Sequence, residues 1–142
     1  MSISKITPIV SALFVVSLLL AGAACATSTA MTPAANAPFT EGEVQASYEK
    51  TGNGAVRVRV KNLGDPKRLN AKATTYVIWL TPDGSPNAQN VGAFQVDGDQ
   101  EGSFEFKTSF KKFTLNVSAE PAANALTMTG VSVLRADVVA ED

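Results

Sequence analysis

A single thiol and one acidic run are the places where this chain carries side chains able to do chemistry. Cys25 is the only cysteine among 142 residues, and there is no histidine. The chain therefore lacks the usual general base near neutral pH and the commonest metal ligand. With one thiol, no intramolecular disulfide can form. Nucleophilic catalysis needs a base beside the nucleophile, and no lysine or carboxylate is spaced to act as one, so an enzyme is not expected. The acidic run "DGDQEG" sets Asp97, Asp99 and Glu101 ahead of Gly102, the spacing that opens a calcium-binding loop, D-x-D-x-D-G. The bidentate Glu that closes such a loop would have to be Thr108, inside an expected strand. The three acids are metal candidates by spacing only. The plainer reading is a solvated hairpin turn with Asp97-Gly98 supplying positive φ, and no metal or cofactor is expected.

Cys25 acquires a meaning from what precedes it. Lys5 is the only charge before Glu41, Ile9 to Ala24 is apolar or small apart from Ser11 and Ser17, and Ala21, Gly22, Ala23 and Ala24 close the run. A charged start, an apolar stretch and a small-residue zone are the order of a secretory signal peptide, here residues 1–24. The stretch gives way to Thr, Ser, Pro and Asn without the basic flank of a spanning helix of about 20 residues. Small residues before a lone cysteine resemble the bacterial lipobox. That likeness implies that Cys25 is lipidated, starts the mature protein and holds it on a bacterial membrane, facing the periplasm or the exterior. Gly22 stands where that motif prefers Leu, and ordinary cleavage after Ala21-Gly22-Ala23 or Ala24-Cys25-Ala26 is the alternative.

What must position any site lies downstream. Residues 25–38 are Ala, Thr, Ser, Pro and Asn with Cys25 and Met31 and no charge; this composition predicts a flexible tether and a folded domain over 39–142. With Lys plus Arg at 12, Asp plus Glu at 13 and a net charge of −1, no basic field exists to hold nucleic acid.

Beyond Phe39 the apolar period is two. Val56, Val58 and Val60 alternate with Arg57, Arg59 and Lys61; "EVQASYE", "SFEFK" and "FTLNVS" repeat the pattern. Tyr76 to Leu80 is apolar throughout, as in a strand covered on both sides. "VGAFQV" and "VSVLRADVV" complete about seven candidates, separated by Gly52-Asn53-Gly54, Pro82-Asp83-Gly84 and Asp97-Gly98. Leu63 to Ala73 has room for one short helical turn. Short strands with turn signals about every 8 to 12 residues predict an all-β, antiparallel immunoglobulin-like sandwich, with a small closed barrel as alternative.

"YVIWLTPDG", "NVGAFQV", "FTLNVSAEP" and Thr129-Gly130 resemble the extracytoplasmic C-terminal domain of anti-sigma-K-type factors. The likeness spans about Thr74 to Asp137 and implies a β-sandwich that works beside a separate signalling protein. The sequence carries no sigma-binding segment ahead of its apolar run, so direct sigma-factor contact is not expected. Trp79 reads as core, Glu120-Pro121 as a strand end with Glu120 facing water or capping the turn, and Lys67, Arg68 and Lys72 as a solvated loop. Phe110 is the candidate partner contact. The expectation is a tethered, non-catalytic interaction or structural module of the cell envelope, binding an unidentified envelope protein. The alternatives are a sensory or regulatory ectodomain and, third, a small-ligand or carbohydrate module.

Overall fold

A computed structural model describes residues 26–140. The expected signal peptide 1–24 and the lipidation of Cys25 fall outside the described residues. The strands are β1 (Ala26–Pro33), β2 (Glu41–Tyr48), β3 (Gly54–Lys61), β4 (Thr75–Pro82), β5 (Gln89–Phe94), β6 (Gly102–Thr108), β7 (Lys112–Glu120) and β8 (Val131–Val139). The short turn foreseen in Leu63 to Ala73 is a 3-10 helix, Pro66–Arg68, whose first amide is capped by Asp65: Lys67 N–H donates to its carboxylate at 2.9 Å.

All pairings are antiparallel, in the order β5-β4-β7-β8-β1-β2-β3-β6. The sheet curls until its two edges, β5 and β6, lie alongside each other, so the fold is a nearly closed, barrel-like sheet of eight strands rather than about seven. The seam is tight at Gly92, where an added Cβ would stand 2.1 Å from the Phe104 ring. Any larger residue there would displace the Phe104 ring and strain the backbone, whose φ is 152°.

The tether expected over 25–38 is corrected: Ala26–Pro33 is a strand. Its first part, Ala26 to Met31, pairs with β2, and Thr32 and Pro33 pair with β8. The physical reason lies in the side chains. Thr27, Thr29 and Met31 turn inward at period two while Ala26, Ser28 and Ala30 face water, but threonine and alanine contribute too little hydropathy for that period to show. β-branched threonine suits a pleated, half-covered surface, and the two neighbouring strands supply the ladder.

β3 buries its alternate residues Val56, Val58 and Val60, whereas β4 is buried on both faces from Thr75 to Leu80. Tyr76, Ile78 and Leu80 point into the central core with Leu115, Val117 and Leu134. Val77 and Trp79 are fully buried yet lie outside that core, on the outer face of the sheet. Something must cover them.

The strand directions divide the connections between two ends. At one end lie the connections β1–β2 (34–40), β3–β4 (62–74), β5–β6 (95–101) and β7–β8 (121–130). We call this the loop end. The opposite, turn end holds β2–β3 (49–53), β4–β5 (83–88), β6–β7 (109–111) and the start of β1.

Candidate binding end

The cover over Trp79 is the β7–β8 connection. Asn90, the β-partner of Trp79, donates through its side-chain amide to the carbonyls of Ala123 and Ala125, both at 2.9 Å. The segment is thereby drawn back over the sheet. At its root Glu120 is fully buried, correcting the water-facing expectation. Its carboxylate accepts from the Ser118 hydroxyl (2.6 Å), the Thr129 hydroxyl (3.1 Å) and the Gly130 amide (3.0 Å to each oxygen). Ser118 in turn accepts from the Trp79 indole N–H at 2.9 Å. A buried carboxylate tolerates its desolvation when donors surround it, and this one spends that capacity on fastening a loop. Gly130 has to be glycine here, because a Cβ would come within 1.8 Å of the Ala119 carbonyl oxygen.

Fastened in this way, the segment carries Leu126, 91% exposed, and Met128. At the loop end the β1–β2 connection presents Phe39, 84% exposed. Beside Phe39 opens a groove of about 540 Å³ lined by Phe39, Leu63, Asp65, Arg68, Leu69 and Tyr76. Leu63 N–H donates to the Gln100 carbonyl at 3.0 Å and Thr40 Oγ1 to that of Asn62 at 3.2 Å, so three connections are tied around the groove. Tyr76 stands at its floor, stacked on Phe94 at 5.7 Å, with its hydroxyl donating to the Gly64 carbonyl at 2.7 Å. Burial, helped by nearby Asp65, pushes that hydroxyl up to about 12.

The residues singled out from sequence fall apart in space. Asp97, Asp99 and Glu101 sit in the β5–β6 connection at the loop end. Asp97 Oδ1 accepts from the amides of Asp99 (2.9 Å) and Glu101 (3.0 Å), so the side chain organises its own turn. The residue at positive φ in that turn is Gln100, at 61°, and not Gly98. Among the described residues no group of three or more acidic or thiol side chains is gathered to hold a metal ion. Phe110 lies at the turn end, 40% exposed, and its carbonyl accepts from the Tyr48 hydroxyl. Phe39, Leu126 and Glu120 were missed as site residues. Phe39 was legible only as a domain boundary, and Leu126 only as a lone large apolar side chain in an uncharged stretch.

A wider furrow of about 690 Å³ opens where β1 parts from β8, lined in part by Thr29, Thr32, Asn116, Arg135 and Asp137. The hydrogen bond from Thr114, and Arg135 nearby, hold the Asp137 carboxyl below its usual value. Among the described residues no aromatic ring lines the furrow, and the exposed aromatics Phe39 and Phe110 stand at opposite ends. Among the described residues no helix is long and apolar enough to cross a membrane. No family model matches the chain, and no curated protein matches it in sequence.

Proposed function

We propose that this chain is an exported, non-catalytic interaction module of the bacterial envelope, anchored through a lipidated Cys25 and engaging an envelope protein with its loop end. The observation that carries the reading is the placement of Phe39 and Leu126. Both are large, apolar and almost fully exposed, and both lie on connections rooted at the end opposite the start of β1. A single exposed leucine needs no explanation, but two such residues on fastened loops, one of them lining a groove, have the makings of an interface core. Because β1 begins at Ala26, an anchor on Cys25 holds the turn end at the lipid surface. Strands of eight residues then carry the loop end about 26 Å outward, and the position comes from the rigid sheet instead of a floppy linker.

The immunoglobulin-like reading of the fold belongs to the same proposal. β2-β3-β6 and β5-β4-β7-β8 follow the order A-B-E and C′-C-F-G, with β1 bridging the two groups. In that scheme the loop end is the one that carries binding loops in variable domains. The sensory or regulatory reading has its own support: Trp79, Ser118, Glu120, Thr129 and Gly130, all among the residues that carry the anti-sigma-K likeness, form one connected network. Both readings place the working surface at the loop end.

The test has two arms. Mass spectrometry of the membrane fraction should find an acylated peptide beginning at Cys25, and Cys25→Ser should move the protein to the soluble fraction. Phe39→Ser with Leu126→Ser should leave anchoring and folding intact while failing to complement a deletion. Full complementation by that double variant would refute binding through this end.

A further inference from the structure

Charge at the loop end is sorted by loop. The β3–β4 connection carries the cations Lys67, Arg68 and Lys72 with the single anion Asp65, all exposed. The β5–β6 connection carries Asp97, Asp99 and Glu101, exposed, and no cation. The remaining connections, 34–40 and 121–130, hold no charge and display Phe39, Leu126 and Met128. Among the described residues none of these loop charges enters an ion pair. Arg59 and Lys61, at the end of β3, share a recess with Asp97 and Glu101, which leaves Asp99 at the tip of the acidic turn.

A partner surface of one sign would meet repulsion from one of the two loops. A surface with the same division, turned about a two-fold axis, would meet none, because each basic loop then faces an acidic one and the contact is made twice. We propose that the loop end pairs with the loop end of a second copy of this chain; the inference rests on the binding-module reading and names its partner. Phe39 supplies the apolar anchor. Its ring stands in water in the single chain, and the groove beside it, floored by Tyr76 and walled by Leu63 and Leu69, is wide enough to take the ring of the facing copy. The start of β1 lies at the far end, so the two anchors of a pair stand at its opposite ends. Copies in apposed membranes, or one anchored and one released, can pair without bending the domain.

Sedimentation of the full chain in detergent, from about 1 to about 100 µM, reads the association directly in the range expected for a modest interface. One variant reverses the basic loop, with Lys67→Glu, Arg68→Glu and Lys72→Glu. The other reverses the acidic loop, with Asp99→Lys and Glu101→Lys, leaving Asp97 to hold its turn. Each should weaken the dimer about tenfold or more, Phe39→Ser should do the same, and an equimolar mixture of the two reversed chains should recover the affinity. Far-UV dichroism of each variant should match the parent. A parent chain that stays monomeric throughout, a dimer indifferent to both reversals and to Phe39→Ser, or a mixture that fails to recover would overturn the proposal. A monomeric chain whose Phe39→Ser, Leu126→Ser double variant still fails to complement would overturn self-pairing alone and leave the binding module standing.

Discussion

The two ends of this molecule spend the same chain differently. At the turn end, connections of three to six residues return each strand directly to its neighbour, and an exposed ion pair between Lys112 and Asp83, 3.3 Å apart, closes over one of them. At the loop end the connections run to thirteen residues and are held by side chains from elsewhere in the fold: Glu120 on Gly130, Asn90 on Ala123 and Ala125, Thr40 on Asn62. The turn end has such a tie too, from the Tyr48 hydroxyl to the Phe110 carbonyl; the long loops carry more, and each offsets part of the conformational entropy that ordering a loop costs. The two most exposed large apolar side chains, Phe39 and Leu126, sit on loop-end connections, whereas Val139 and Phe110 at the turn end are about half covered. On the proposed reading, loops that are fixed and still expose leucine and phenylalanine serve as a contact surface and not as a lid.

The largest expected break in this contrast is at Glu120. Glu120→Ala leaves the buried Ser118 hydroxyl, and the partly covered Thr129 hydroxyl and Gly130 amide, without their acceptor and should cost about 2 to 3 kcal/mol. It should also make residues 121–130 cleavable by protease well before global unfolding, which limited proteolysis with mass mapping reads out. If cleavage instead begins at the β2–β3 or β6–β7 turns, the loop is not held as described.

Tyr76 comes next. Tyr76→Phe removes the hydrogen bond to Gly64 and should cost about 1 kcal/mol. Its hydroxyl ionises near 10 in the unfolded chain and near 12 in the folded one. This contribution is therefore complete below pH 10 and is lost as pH rises from 10 towards 12, because the unfolded chain releases its proton first. The loss is at most about 2 kcal/mol, as the hydroxyl borders the groove. The difference between parent and Tyr76→Phe in alkaline denaturant melts isolates it; parallel curves above pH 10 would contradict the assignment.

Smaller still is Asp97→Ala, which frees two exposed turn amides and should cost about 0.5 kcal/mol by chemical denaturation, with no change on adding calcium. A stabilisation by calcium in the parent that the variant lacks would restore the metal reading. Smallest of all, Lys112→Ala at the turn end should change stability by less than about 0.5 kcal/mol, since an exposed pair is screened and gains little.

How much of this could be read from sequence follows from how each residue is used. Val56, Val58 and Val60 announce β3 because one face meets the core and the other meets water, so period two survives in the hydropathy. The unbroken run of β4 announces double coverage, but not that Trp79 faces outward beneath a loop, because the cover arrives from residues 121–130, about forty positions later. β1 stays hidden because small residues fill a ladder that two distant strands complete. Glu120 reads as a strand end that faces water or caps its turn; its burial is invisible locally because it depends on the return of Thr129 and Gly130. Phe110 attracts notice as an aromatic between lysines, whereas Phe39 and Leu126 sit in uncharged segments where nothing local marks them as a surface.

The central claim is that contact is made at the loop end. A photo-crosslinking amino acid placed in turn at positions 39, 126 and 110 of the full chain in intact cells tests it most directly. The account predicts adducts from 39 and 126 and none from 110, in anchored protein of normal abundance. Adducts from 110 with none from 39 or 126 would place the working surface at the turn end and contradict it.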